Sequence, residues 1–138
     1  MARVKLDQQL LGLSIIMERL SGARVKDCFK FDEIIYFVVA TGDMGKAVGK
    51  GGTTIKRIQQ ELDKKIRVIE FREKAADFIR NVIYPLTVEE IVEEEGDILI
   101  KDDSKKTKSL LIGRDGKNLI LVNRAVKRFF DVKEVKVI

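Results

Sequence analysis

The four residues Gly49-Lys50-Gly51-Gly52 return as Gly113-Arg114-Asp115-Gly116, 64 positions further along the chain. A G-x-x-G loop that occurs twice in one context constrains the fold strongly, because whatever the first half builds, the second builds again. In each copy a β-branched residue precedes the loop, Val48 or Ile112, and a basic residue follows the first glycine, Lys50 or Arg114. Each loop runs into a helical pattern. Ile55, Ile58 and Leu62 share one face after the first loop; Leu119, Val122, Val126 and Phe129 do so after the second. An alternating strand closes each half, "KIRVIEF" at 65–71 and "VKEVKVI" at 132–138.

The upstream parts match as well. Leu6, Leu10, Leu13, Met17 and Leu20 line one face of an opening amphipathic helix. "RVKDCFKF" and "IIYFVVA" then read as two strands with a turn at Asp32-Glu33. In the second half "EKAADFIRNVIY" is a shorter helix ended by Pro85, and "LTVEEIVEE" and "DILIKD" are strands joined at Glu95-Gly96. Each half therefore reads helix, strand, strand, short helix, G-x-x-G, helix, strand. Stacked repeat arrays need at least about three units, so two complete copies predict an α+β protein of two tandem domains, 1–72 and 73–138. The boundary near "REKA", 72–75, lacks a Pro-, Gly- or Ser-rich linker. Units this small lie near the lower limit for independent stability, so the halves are expected to pack on each other and move little.

The loops are not nucleotide-binding loops. A P-loop needs G-x-x-x-x-G-K-[ST], whereas Met44 stands five before Gly49 and Gly51 follows Lys50. The dinucleotide fingerprint fails at Thr54. What remains is a glycine turn at the start of a helix, whose N–H groups and dipole attract a phosphate. Lys50, Arg114 and Lys117 add charge there. Without Walker chemistry, this suits a passing backbone phosphate better than a held nucleotide. A tight helix–helix turn with no ligand is the alternative, and the second copy weakens it.

The inventory argues against catalysis. There is no histidine and one cysteine, Cys28, so the usual zinc sites and the Ser-His and Cys-His pairs cannot be built. Asp102-Asp103 would point to opposite faces of a strand and read as strand-end and cap residues. No enzyme activity, cofactor or metal is expected. The net charge of +5 favours an anionic partner, while "EEIVEEEGD" at 89–97 reads as a solvated acidic face and "KKTK" at 105–108 as a basic one. Phe29, Phe31, Tyr36 and Phe37 are expected to pack rather than stack on bases, and Cys28 to be a small buried hydrophobe. Apolar runs fall short of a bilayer span, and no secretory stretch opens the sequence. A cytoplasmic protein without a membrane partner is expected, as a monomer.

"TGDMGKAVGKGGTTIKRI" and "LLIGRDGKNLILVNRAV" resemble the paired KH domains of NusA-type transcription factors. The helix and strand ahead of each core resemble the prokaryotic type II form. The resemblance implies two tandem type II KH domains, each a three-stranded sheet with helices packed on one face. It implies that single-stranded RNA is the partner, contacted at Gly49, Lys50, Gly51 and Gly52 and at Gly113, Arg114, Asp115 and Gly116. Val48, Ile55, Ile112 and Leu119 would form the apolar floor under the bases. Asp115 departs from the pattern with a negative charge, which Arg114 and Lys117 offset, and it is expected to weaken the second copy. The chain leaves no room for the polymerase-binding and OB-fold modules of bacterial NusA and is similar to the short archaeal forms. A role in transcription elongation or termination beside RNA polymerase follows from the resemblance. The alternatives are ribosome assembly or RNA processing, or a protein-interaction module whose G-x-x-G turns are structural.

Overall fold

The computed structural model describes the backbone of residues 2–138 and the side chains from residue 8 onward, so the side chain of Leu6 lies outside the described residues. The elements are α1 (Ala2–Ser21), β1 (Val25–Phe31), β2 (Ile34–Val39), α2 (Met44–Val48), α3 (Thr53–Leu62) and β3 (Lys65–Glu70). They continue as α4 (Ala75–Ile83), β4 (Glu90–Glu94), β5 (Asp97–Lys101), α5 (Lys105–Ile112), α6 (Lys117–Lys127) and β6 (Val135–Val137). One 3-10 turn joins α2 to α3, at Lys50–Gly52, and another joins α5 to α6, at Arg114–Gly116. Internal contacts divide this α+β chain into Met1–Arg72 and Glu73–Ile138.

Each unit carries a three-stranded sheet, in the order β1-β2-β3 or β4-β5-β6. The first pair is antiparallel and the second parallel. Local chemistry explains this. Asp32 and Glu33 both take positive φ, 50° and 64°, as do Glu95 and Gly96, 52° and 89°. Two consecutive left-handed residues make the tight hairpin that twists with its strands. A parallel third strand needs a crossover, and the helix–loop–helix supplies it.

In the first unit Met17, Cys28, Ile35, Phe37, Val39, Ala47, Ile58 and Ile66 form the core, with Leu10, Leu13, Leu20, Ile55 and Leu62 packed against it. The α1 stripe thus lies on the core, Met17 deepest. On β2 Tyr36 and Val38 are buried as well. The run "IIYFVV" is apolar without alternation because both faces of this central strand are covered. Phe29 is buried and its ring stacks on Tyr36 at 5.2 Å; Phe31 is half-buried.

In the second unit the inner face of α6 is Leu121, Val122, Ala125 and Val126, which corrects the expected line through Leu119, Val122, Val126 and Phe129. That line counted large side chains and overlooked Ala125. Leu119 is half-buried, and Phe129 lies beyond the helix. The chain turns there, with Phe129 and Phe130 both donating to Val126 O (3.1 and 2.9 Å). Their rings meet Phe78 of α4 at 5.5 and 5.8 Å. The strands expected over 86–94 and 132–138 are shorter, because β5 offers only Asp97–Lys101 for pairing.

A carboxylate tether recurs in both units. Just past β2, buried Asp43 accepts the Arg24 N–H at 2.8 Å, immediately before β1. Just past β5, Asp102 accepts the Glu89 N–H at 3.2 Å, immediately before β4, and the Ser104 N–H at 2.9 Å. Each tether ties together the open ends of a hairpin. Asp102 is therefore a strand-end residue as expected, while Ser104 caps α5, accepting from Thr107 N–H at 3.2 Å. The Arg24 N–H holds the Asp43 carboxyl below the usual carboxylate range against the opposing effect of burial, with the Lys46 and Arg24 charges assisting. A depressed folded pKa contributes stability above the unfolded value and loses it as pH falls through the folded one. Asp43→Ala is therefore expected to lower the melting temperature at neutral pH. The gap to the parent should narrow as pH falls below the usual carboxylate range; a gap that stays constant in thermal scans at several pH values would contradict the charged tether.

Candidate nucleic-acid interface

The two loops have the same backbone. Gly49 and Gly113 sit at φ/ψ of 77°/167° and 77°/173°. Gly51 and Asp115 sit at 65°/21° and 58°/24°, and Gly52 and Gly116 at 76°/15° and 75°/9°. All three positions are in positive-φ territory that L-residues resist. The first is also sterically closed. A Cβ on Gly49 would meet Thr54 N at 2.8 Å, and one on Gly113 would meet Asn118 N at 2.9 Å. These are backbone atoms of the next helix, which cannot turn aside. Around Gly51 and Gly116 the space is open.

The N-cap residues of α3 and α6 are the last loop glycines, which carry no capping side chain. The opening N–H groups of an α-helix lack intrahelical partners, so the loop presents a positive helix end. The expected residues gather around it in each unit. Lys50, Gly51, Arg114, Asp115 and Lys117 are exposed, Val48, Ile55 and Leu119 are half-buried, and Ile112 is exposed. Asp115 does not cap α6: that position belongs to Gly116. Among the described residues, no group of three or more His, Cys, Asp or Glu side chains is placed to hold a metal ion, and no helix is long and apolar enough to cross a membrane.

Beside the second loop runs a groove of about 650 Å³, lined by Gly116, Leu119, Ile120, Asn123 and residues 134–138. Ile120 and Ile138 are exposed within it. Its far wall is β6, the free edge of the sheet. Ile98 N–H donates to Glu134 O (2.9 Å) and Ile138 N–H to Ile100 O (3.0 Å). In this parallel register even-numbered residues of β6 face β5, and Val135 and Val137 turn their N–H and C=O to the open side. Asn123 reaches across from α6: its Oδ1 accepts from Val135 N–H at 2.8 Å, and its Nδ2 donates to Val135 O at 3.0 Å. The first unit has the same arrangement in reduced form, with Gln59 of α3 accepting from Ile66 N–H at 3.1 Å. Sequence reasoning missed Ile120, Asn123, Gln59 and the strand edges. One signal was available, since Gln59 and Asn123 stand 64 positions apart, in step with the glycines. The acidic residues Glu89, Glu90 and Glu93–Glu95 are exposed on or beside β4, at the sheet edge opposite β6.

A helix–loop–helix with a G-x-x-G turn, laid beside a free strand edge, is a construction found in nucleic-acid-binding modules. Residues 15–95 match the family described as KH domain. The chain is 29% identical over 136 residues to the "Probable transcription termination protein NusA" of Halococcus morrhuae, covering 97% of this chain and 98% of that one. It is 34% identical over 139 residues to the protein of the same name from Methanococcus vannielii, covering 99% and 80%. The crystal structure of APE1850 superposes with a TM-score of 0.78 at 25% identity, over 95% of this chain and 99% of that one. The chain belongs to the KH-domain family and, within it, to the archaeal NusA proteins.

Gly49→Ala is expected to destabilise the protein by about 2–4 kcal/mol, through a backbone clash added to unfavourable φ. Gly51→Ala meets only the left-handed penalty of about 1 kcal/mol. Denaturant melts of the two variants check the order; equal losses would mean that α3 yields at its start.

Proposed function

We propose that both units are type II KH domains, 1–72 and 73–138, and that each clamps single-stranded RNA at its G-x-x-G loop. The observation that carries this reading is the loop backbone built twice with nearly the same dihedral angles, each time ahead of a helix that no side chain caps. A phosphate would sit against those helix starts, beside Lys50 and Gly49–Gly52 in one unit and beside Arg114, Lys117 and Gly113–Gly116 in the other. Val48 and Ile55, and Ile112 and Leu119, would support the bases. Each KH module takes about four nucleotides. Phosphate contacts position the strand and base edges give it preference; no chemical step is required. The relatives' name, "Probable transcription termination protein NusA", supports a role in transcription termination; in this reading nascent RNA is the ligand and RNA polymerase the neighbouring machine.

Binding to single-stranded RNA should weaken with salt, log affinity falling against log salt with a slope of about −0.7 for each phosphate neutralised. The double change Lys50→Asp and Gly51→Asp should cost on the order of tenfold in affinity and more than Arg114→Asp. A flat salt response, with no loss in either variant, would leave the loops as structural turns.

Asp115→Gly should strengthen RNA binding by about fivefold, roughly 1 kcal/mol. Asp115 shares its backbone conformation with Gly51, so glycine fits without rearrangement. Relief of the left-handed penalty opposes the extra freedom of the unfolded chain, and stability should change by less than about 0.5 kcal/mol. Titrations in low and moderate salt check this; unchanged or weaker binding would mean that the carboxylate contacts the RNA favourably.

A further inference from the structure

We infer that Asn123 is a positioning residue that sets where along β6 the second unit can read a base. The inference rests on the RNA-binding reading above. The open edge of β6 offers two donor–acceptor pairs, the N–H and C=O of Val135 and of Val137. A base edge could pair with either, and a strand entering the groove could then settle in two registers. Asn123 removes that choice. Its amide meets both groups of Val135, at 2.8 and 3.0 Å, as a neighbouring strand would. Its Nδ2 also donates to Leu119 O at 3.1 Å, which anchors the side chain to α6. The pair at Val137 is the one left facing the groove.

Alternate residues on one edge of a strand are about 7 Å apart, close to the spacing between successive unstacked nucleotides. Filling one position therefore shifts the reading frame by about one base relative to the phosphate clamp. The first unit does this less completely. There Gln59 accepts from Ile66 N–H at 3.1 Å, a single bond where Asn123 makes two to its strand residue. The longer side chain at the same repeat position reaches its strand but does not bridge both groups. The second groove, whose loop carries Asp115, is thus the one with the more fixed base-reading edge.

The test uses the full-length chain and random single-stranded RNA of about eight nucleotides, two modules' worth. Wild type and Asn123→Ala are compared by the base preferences of the bound pool, by the salt slope, and by amide hydrogen exchange of the free protein. In wild type the Val135 amide should exchange much more slowly than that of Val137. In Asn123→Ala the two rates should converge. Discrimination between the best and worst base at the affected positions should fall by about fivefold or more, with the salt slope unchanged and the remaining positions of the motif intact. Asn123→Gln should recover part of the preference, since glutamine at the corresponding position of the first unit still reaches its strand. Equal exchange of Val135 and Val137 in wild type would overturn the inference without reference to RNA. So would an alanine variant that keeps its base preference, or that loses affinity evenly across all sequences. A wild-type protein that binds no RNA would instead overturn the reading on which this inference rests, and the inference with it.

Discussion

The close approach between the first glycine of each loop and the opening turn of the next helix is the constraint on which the site depends. With Thr54 N and Asn118 N within 3 Å of where a side chain would begin, the helix start is pressed directly against the loop. The remaining positive-φ residues then have one task, to reverse the chain in so little space. The result is a helix end whose N-cap has no side chain. At α5, by contrast, Ser104 occupies the cap and satisfies Thr107. One unit thus holds both solutions: a helix start closed by its own serine where the chain only turns, and one left open where a ligand is proposed.

The sheet supports the site from the other side. A parallel third strand exists because the helix–loop–helix serves as its crossover, so the loop and the strand edge are coupled by topology. The edge itself is a hazard, since unpaired strand groups invite other chains. Asn123 and Gln59 answer this from within the fold by spending a helix side chain on the first outward-facing residue, Val135 or Ile66. The carboxylate tethers at Asp43 and Asp102 do related work at the opposite ends of the hairpins. The fold is therefore closed by polar side chains meeting backbone groups as well as by its apolar core.

Much of this was legible because glycine spacing records backbone demands. The repeat of 64 residues matched the two halves, strand patterns marked the hairpin turns at Asp32-Glu33 and Glu95-Gly96, and helical spacing marked the α1 stripe about Met17. The tethers were not legible: Asp43 and Asp102 are 59 positions apart, out of step with the repeat, because α5 begins earlier before its loop than α2 does. The inner face of α6 was misplaced because Ala125 carries no hydrophobic bulk and Phe129 belongs to the turn after the helix. The groove could not be read at all. Which residues of β6 face outward depends on register with β5, and register is a tertiary fact. The position of Asn123 in the repeat was visible, but its use was not.

Since the two loops share their dihedral angles, any functional difference between them must come from side chains and from the field around them. In the second unit that field has a direction. The glutamates of β4 occupy one edge of the sheet, while the loop and β6 lie toward the other. Strands are about 4.8 Å apart, so the acidic edge stands about 10 Å from β6. At physiological ionic strength the Debye length is about 8 Å. Repulsion from β4 is then largely screened for an RNA strand already in the groove; the carboxylates such a strand would meet are Asp115 in the loop and Glu134 on the groove wall, the latter paired with Lys127 at 2.7 Å. At low salt the screening weakens and the acidic edge disfavours approach from its own side. The net charge of +5 is thus a poor guide to the second unit: what matters is where its carboxylates lie, with most of the glutamates at the β4 edge, Glu134 paired with Lys127, Asp97 paired with Lys136, and Asp115 in the loop itself.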